Sequence, residues 1–152
     1  MSFRVRPLSF NEGEAIPVRY TGDGDNLSPA LAWEDPPSGT RSFALVVDDP
    51  DAPNGTFTHW LLWDIPGSLR ELPEGVVSGT LGHDGVNDFG QPAYVGPCPP
   101  KGHGAHRYQF KLYALDTSRL MLPEGAKRFE FDKALHGHDL EESWATGKYE
   151  RT

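Results

Sequence analysis

The sequence lacks paired cysteines, long apolar runs and the common motifs of hydrolases and nucleotide-binding proteins. It contains a single cysteine, Cys98, in 152 residues, so an internal disulfide is excluded. No apolar run approaches membrane-spanning length, and the opening MSFRVRPLSF lacks the apolar segment of a signal peptide. Gly-x-Ser-x-Gly elbows, Walker loops and dinucleotide fingerprints are also missing. We therefore expect a soluble, cytoplasmic protein with no cofactor and no stable membrane insertion.

Positive charge is scarce relative to negative charge. The 14 lysines and arginines face 22 aspartates and glutamates, which gives a formal net charge of −8. Such a surface repels nucleic acids and anionic lipid headgroups, so nucleic-acid binding is not expected. A small, local anion site is still compatible with this balance.

Glycine, proline and aromatic residues are abundant. The 17 glycines and 14 prolines are scattered between apolar runs, and four tryptophans argue for a folded core. This composition is typical of many short strands joined by turns. We predict a single domain over residues 1–152, mainly β, with the fold of an antiparallel β-sandwich and one or two short helices.

Hydrophobic periodicity locates the elements. The predicted strands are Phe3–Phe10, Ile16–Tyr20, Leu27–Trp33, Arg41–Val47, Phe57–Ile65, an edge strand within Leu69–Val77, His106–Leu115, and a closing strand in LEESWATGKYER. A short helix is predicted with Asp132 as N-cap and Gly137 just after its end. Residues 78–105 are rich in glycine and proline and predict an unusually long loop, which is often functional.

Polar side chains end or begin the apolar rows of the three central strands. Alternate strand residues share a face. Asp49 continues the row that contains Phe43 on its strand, and His59 belongs to a single row that runs from Phe57 to Ile65 on the next strand. His106 and Tyr108 begin the row of the third strand. The simplest packing gathers these groups at one end of the core, beside the long loop, and so predicts a pocket.

Two imidazoles and a phenol are donors suited to a phosphate or carboxylate. In this interpretation His59 and His106 donate to the anion, with help from Tyr108. Asp49 or Asp51 then receives a cationic part of the ligand or orients a histidine.

Two other chemistries compete with this interpretation. A metal could use His103, His106 and Asp49, but on a strand the two histidines would face opposite sides, and no metal site is expected. Cys98 could act as a nucleophile with His106 and Asp49, although its position between two prolines favours a buried structural thiol.

Several blocks resemble one known family. DPDAP (49–53), THW (58–60) and GPCPPKGHGAHRYQFKLYALD (96–116) look like the two signature blocks of the phosphatidylethanolamine-binding protein (PEBP) family. NLSPALAW, NDFG and ALHGHDL resemble its bacterial and archaeal Raf kinase inhibitor-like branch. The resemblance covers most of the chain and implies an antiparallel β-sandwich with a small anion pocket for phosphate-like groups.

Carried over motif by motif, the family's pocket falls on a defined set of residues. They are Asp49, Asp51, Ala52, Pro53, His59, Gly96, Pro97, Cys98, Pro99, His106 and Tyr108. The resemblance also implies a cis bond at Ala52–Pro53 and possible pairing as a homodimer.

The chain also departs from the eukaryotic pattern of the family. Only residues 54–56 separate DPDAP from the next strand, and little chain remains for the C-terminal helix that borders the eukaryotic pocket. A more open pocket follows, and kinase-regulating roles are not transferred from eukaryotic members.

The leading functional hypothesis is a non-enzymatic binding module for small phosphorylated or other anionic ligands. A second hypothesis is an inhibitor of a kinase or protease that acts through the loop surface. A third is a hydrolase that uses Cys98 or a metal.

Overall fold

Eight strands, one α-helix and one 3₁₀-helix occur in residues 2–152, the part of the chain described by the computed structural model. In chain order they are β1 (Arg4–Pro7), the 3₁₀-helix (Val18–Tyr20), β2 (Leu31–Glu34), β3 (Ser42–Asp49), β4 (Phe57–Pro66), β5 (Glu71–Leu72), β6 (His83–Asp84), β7 (His106–Leu115), α1 (Arg128–Leu135) and β8 (Asp139–Tyr149).

The strands form two sheets in which all neighbouring strands are antiparallel. One sheet has the order β1-β2-β5, and the other has the order β6-β4-β3-β7-β8. The inner faces of both sheets contribute to one apolar cluster, which contains Trp33 from the small sheet and Phe43 and Phe110 from the large one. The predicted mainly β, antiparallel architecture is therefore confirmed.

A second apolar cluster lies on the outer face of the large sheet. There α1 packs Phe131 and Leu135 against Ala44, Val46 and other outward side chains of β3, β4 and β7. Strand β3 is consequently buried at all eight positions, as its continuous apolar character predicts.

The outer edge of β8 is covered in part by a segment near the N-terminus. The side chain of Glu12 accepts hydrogen bonds from the backbone N–H of Thr146, at 2.8 and 3.0 Å. Backbone bonds join Ile16 N–H to the Lys148 carbonyl and Lys148 N–H to the Glu14 carbonyl. This segment therefore protects part of an edge that would otherwise be open.

The strand predicted at Ile16–Tyr20 is wrong, because the chain forms a 3₁₀-helix over Val18–Tyr20. Pro17 precedes it with φ −57°, a value suited to starting a helical turn, and its carbonyl accepts from Tyr20 N–H at 3.0 Å. The strand prediction rested on the alternation of apolar residues and did not take into account the helical φ of Pro17.

The helix begins earlier than predicted. It starts at Arg128 with Lys127 as N-cap, so Asp132 lies inside the helix, whereas Gly137 has φ +87° just past its end, as predicted. The early start was hidden because Phe129 is 78% exposed while Phe131 is buried, a spacing that resembles strand alternation.

The proline-broken segment and the long loop also match expectation in part. The edge strand within Leu69–Val77 shortens to β5, at the edge of the small sheet. Residues 78–105 are mostly irregular, with the two-residue β6 pairing with β4.

Asp48 is a fully buried carboxylate that ties the helix to the large sheet. Lys111 Nζ lies 3.0 Å from Asp48 Oδ2, and Arg128 Nη1 donates to Oδ1. Arg128 also donates to the Thr58 hydroxyl at 2.9 Å, and that hydroxyl donates to Asp48 at 3.2 Å. These partners compensate the desolvation of the carboxylate.

We predict that Arg128→Met lowers the free energy of unfolding by about 3 kcal/mol, because it leaves a buried carboxylate with Lys111 as its one remaining cation. Urea denaturation measures this loss. The matched control is Lys133→Met on the exposed face of the same helix, which should change stability by less than about 0.5 kcal/mol. Equal effects of the two variants would contradict the role given to Asp48.

Candidate functional site

A cavity of about 170 Å³ lies where β3, β4 and β7 meet the irregular segments that follow β3 and precede β7. We call it the Asp49 cavity. It is lined by Asp49, Ala52, Pro53, Phe57, His59, Phe89, Cys98, Pro99, Pro100, His106 and Tyr108. A larger groove of about 740 Å³ runs beside β1 and Trp144, but its polar side chains are exposed. The Asp49 cavity, which gathers buried titratable groups, is therefore the candidate site.

His59 reaches the cavity because of a bulge in β4. The Cα pairing runs from Asp48–Thr58 directly to Val47–Trp60, so His59 is the additional residue. As a result two consecutive side chains point to the inner side of the sheet. Trp60 packs in the inner core, and His59 lines the cavity.

The predicted uninterrupted row from Phe57 to Ile65 is therefore wrong. Leu61 and Trp63 face the outer cluster, whereas Ile65 returns to the inner one. A second bulge near Asp64, which has φ +58°, produces that return. By contrast, the row that starts at His106 on β7 is confirmed along its whole length.

Asp49, His106 and His103 form a hydrogen-bonded chain. His106 Nδ1 lies 2.7 Å from Asp49 Oδ2, and because a carboxylate can only accept, Nδ1 carries the proton. His106 Nε2 lies 2.7 Å from His103 Nδ1, so one proton is shared between the two rings. Both nitrogens of the buried His106 are thus occupied by neighbouring side chains.

His59 has one nitrogen committed to the backbone. Its Nδ1 lies 2.6 Å from the Val95 carbonyl and must donate to it. Burial lowers the pKa of His59, and the Val95 contact and the charge of Asp49 oppose this shift only in part. The neutral ring therefore offers Nε2 as an acceptor, and His59 becomes a donor to an anion only after protonation.

The Tyr108 hydroxyl is buried without a hydrogen-bond partner in the described residues. Burial, followed by the charge of Asp49, raises the pKa of Tyr108, so the group is a neutral O–H at any physiological pH. The Asp49 carboxylate lies near this hydroxyl but does not form a hydrogen bond of normal geometry with it. An unsatisfied buried hydroxyl costs about 1–3 kcal/mol. A ligand atom that accepts from it would recover part of this cost.

Aromatic rings form one wall of the cavity. Phe89, 44% exposed, packs edge-on against Phe57 with centroids 4.6 Å apart and against His59 at 5.4 Å. Tyr108 packs edge-on against the other side of His59 at 5.3 Å. Phe57, Phe89 and Pro100 were not among the predicted site residues; Phe89 does fall within the NDFG block that resembles the family.

Asp51 was predicted in the site, but its carboxylate is engaged elsewhere. It accepts from Arg107 Nε at 3.0 Å, from Arg107 Nη2 at 2.9 Å and from the backbone N–H of Arg107 at 2.9 Å. This guanidinium holds the pKa of Asp51 down at about 2. Asp51 supports the turn through its own N–H, which donates to Asp49 at 2.8 Å, and does not line the cavity.

Gly96 and Pro97 were also predicted, and they lie behind the cavity wall. Gly96 N–H donates to Asn26 Oδ1 at 2.7 Å, and a Cβ at this position would sit 2.2 Å from the Tyr20 carbonyl oxygen. The Pro97 carbonyl accepts from Gly22 N–H at 2.8 Å. These two residues position the wall, whereas Ala52, Pro53, Cys98 and Pro99 line it as predicted.

Three smaller expectations are wrong. The Ala52–Pro53 bond is trans, as are the other peptide bonds of the described residues; Gly55 N–H donates to the Ala52 carbonyl and closes the turn in this form. Cys98 is exposed rather than buried, although it lines the cavity. His103 precedes β7 and turns back toward His106, so strand parity does not separate them; even so, no three-residue metal cluster occurs in residues 2–152.

The comparison with known proteins agrees with this architecture. A profile described as "Phosphatidylethanolamine-binding protein" matches residues 7–150. The chain belongs to the phosphatidylethanolamine-binding protein family. This confirms the resemblance drawn from the sequence.

PEBP-family relatives cover nearly the whole chain. The UPF0098 protein of Aquifex aeolicus is 51% identical over 94% of this chain and 85% of its own length. The UPF0098 protein YbhB of Escherichia coli is 40% identical over 91% of this chain and 94% of its own. The crystal structure of Escherichia coli YbcL, a member of the mammalian PEBP family, superposes with a TM-score of 0.91 at 33% identity, covering 99% of both chains.

Among residues 2–152, none of the helices has both the length and the hydropathy needed to cross a bilayer.

We predict that Arg107→Gln raises the pKa of Asp51 from about 2 toward its ordinary value of 3.8. Because the pKa of Asp51 is lower in the folded than in the unfolded state, its ionised carboxylate stabilises the protein above about pH 4. This stabilisation is lost as the pH falls toward 2. The variant should therefore lose less stability than the parent between pH 4 and pH 2. Side-chain carboxyl NMR titration measures the pKa, and Arg119→Gln, of equal charge change, is the control.

Proposed function

We propose that this protein is a non-enzymatic binding protein for small phosphate-type oxyanions, held in the Asp49 cavity. The observation that carries the proposal is the buried Tyr108 hydroxyl, which has no partner within residues 2–152 and stands beside two histidines. A buried polar group without a partner is most simply explained by a ligand that supplies one. The family name, which refers to a phosphate-bearing lipid, supports the same choice.

The polarity of the cavity favours an anion that both accepts and donates. Tyr108 has a hydrogen to give, whereas neutral His59 has a lone pair at Nε2 to be satisfied. Hydrogen phosphate and phosphomonoester monoanions carry both an acceptor oxygen and an O–H. The negative charge of Asp49 is offset by its bond to His106, which reduces its repulsion of an anion.

The apolar wall favours an organic substituent on the phosphate. Phe57 and Phe89 lie on the His59 side of the cavity, and Pro99 and Pro100 lie on the loop side. Because these apolar side chains favour contact with an alkyl group over contact with a charged group, we expect a short alkyl phosphate ester to bind better than inorganic phosphate. Phosphoethanolamine is one such ligand.

Catalysis by Cys98 is disfavoured by the state of His106. A general base needs a free lone pair within reach of the proton it removes. His106 Nδ1 already donates to Asp49, and Nε2 already faces His103. The geometry thus supports binding over hydrolysis. Regulation of a partner protein through the loop surface stays a prediction from the sequence.

We predict that Tyr108→Phe weakens phosphate binding about three- to tenfold, because it removes one hydrogen bond to the ligand. Without ligand, the same variant should be as stable as the parent or more stable by up to about 1 kcal/mol, since the lost hydroxyl has no partner. Isothermal titration and urea denaturation measure the two effects.

The control is Tyr113→Phe, on the same strand but in the outer cluster. It should leave phosphate affinity unchanged. Unaltered phosphate binding by Tyr108→Phe would remove the observation on which the proposal rests.

We further predict that the affinities for two oxyanions, sulfate and phosphate, depend on pH to different extents. Sulfate has no proton to donate, so it binds well only when His59 is protonated. Because burial lowers the pKa of His59, sulfate affinity should already fall as the pH rises toward the ordinary histidine value of 6.5. Phosphate keeps an O–H over this range and should lose less affinity. The ratio of sulfate to phosphate affinity, followed by His59 side-chain NMR, should therefore decrease with pH. A ratio that does not change would contradict the role of His59.

A further inference from the structure

Cys98 stands at the mouth of the Asp49 cavity in a position shaped around its side chain. It is the single cysteine of the chain, is exposed, and lies between Pro97 and Pro99, which restrict the loop. The chain passes close by at Gly22, where a Cβ would lie 3.2 Å from Cys98 Cβ and 3.4 Å from Sγ. The glycine therefore leaves room for the sulfur.

A cation is held next to this sulfur. Arg151 Nη1 donates to Cys98 Sγ at 3.6 Å, and Arg151 Nη2 lies 3.2 Å from Asp23, which fixes the guanidinium. The Arg151 carbonyl accepts from Gly102 N–H and so joins the C-terminal segment to the same loop. A hydrogen bond from a guanidinium strengthens when its acceptor becomes negatively charged, so this contact favours reactions that pass through the thiolate.

The cavity behind Cys98 independently indicates a place for a small ligand. Tyr108, whose buried hydroxyl has no partner in the described residues, lines the same space as the sulfur. That space measures about 170 Å³. A single small group fills the Asp49 cavity, so a group attached to Cys98 and a bound anion would compete for the same space.

We propose that Cys98 is a site of reversible S-thiolation by low-molecular-weight disulfides, and that the attached group occupies the Asp49 cavity and excludes the anion. The part that concerns anion exclusion rests on the proposed function. The exposed thiol at the mouth, the neighbouring guanidinium and the small cavity carry the proposal together.

The reaction is a thiol–disulfide exchange. Cys98 loses its proton to solvent, and the thiolate attacks one sulfur of the small disulfide. A new S–S bond forms at Cys98 as the old S–S bond breaks, and the other half leaves as a thiolate that carries the electron pair. The Cys98 sulfur is oxidised and the leaving half of the small disulfide is reduced, so no outside oxidant is needed. Excess small thiol reverses the step. A protein-sized partner is a poorer fit, because the sulfur is flanked by Gly22, Arg151 and the cavity wall.

The test uses bis(2-hydroxyethyl) disulfide, an uncharged probe, on the full chain. Mass spectrometry should show the gain of one hydroxyethylthio group, none on Cys98→Ser, and complete removal by a thiol reductant. Arg151→Gln should slow the gain about two- to fivefold. Arg119→Gln, with the same charge change on the far side of the large sheet, should not slow it. Equal rates for the two arginine variants, or a disulfide-linked dimer as the main product, would overturn the proposal.

Histidine NMR separates this inference from the proposed function. Thiolation should shift the His59 and His106 signals with no phosphate present, which reports occupation of the cavity by the adduct. Phosphate should slow thiolation, and the thiolated protein should lose its phosphate response, as reciprocal competition requires. Unchanged histidine signals after thiolation, or full phosphate binding by the thiolated protein, would refute the inference. Failure of the unmodified protein to respond to phosphate would instead refute the proposed function, and the signal shifts on thiolation would still decide the inference.

Discussion

Two consecutive buried carboxylates, Asp48 and Asp49, determine how the large sheet is completed on each of its faces. They are 0% and 4% exposed and point to opposite sides because they are neighbours on a strand. On the outer face Asp48 requires cations, which come from Lys111 and from Arg128 on α1. On the inner face Asp49 requires a donor, and His106 supplies it. The position of the helix and the position of the binding groups thus follow from the same dipeptide.

Much of the fold was predictable because its central strands have strong local signals. β3 is a continuous apolar run, and β7 alternates without interruption, so both were located within one or two residues. The errors fall where one residue changes the local geometry. Pro17 turns an apolar segment into a 3₁₀-helix, and the exposed Phe129 disguises the first turn of α1.

The site was predictable in outline and not in its contacts. Strand ends placed Asp49, His106 and Tyr108 together, and His59 does line the cavity although the parity argument behind its placement fails at the β4 bulge. A bulge depends on how two strands pair, which no single segment encodes. The engagement of Asp51 by Arg107 and the approach of His103 to His106 depend on loop conformation, and the sequence carries no periodic signal for them. Dimer formation, a protein partner and the cellular compartment stay predictions.

The hydrogen bonds between the N-terminal segment and β8 have a consequence for folding. Glu12 and Thr146 are 134 residues apart in the chain, yet their contact covers part of one edge of the large sheet. A contact of this separation has a high loop-closure entropy and forms late, and domains rich in such contacts fold slowly. During synthesis the N-terminal segment has no edge to cover until β8 has left the ribosome. Until β8 has been synthesised, the rest of the domain can therefore assemble only in part.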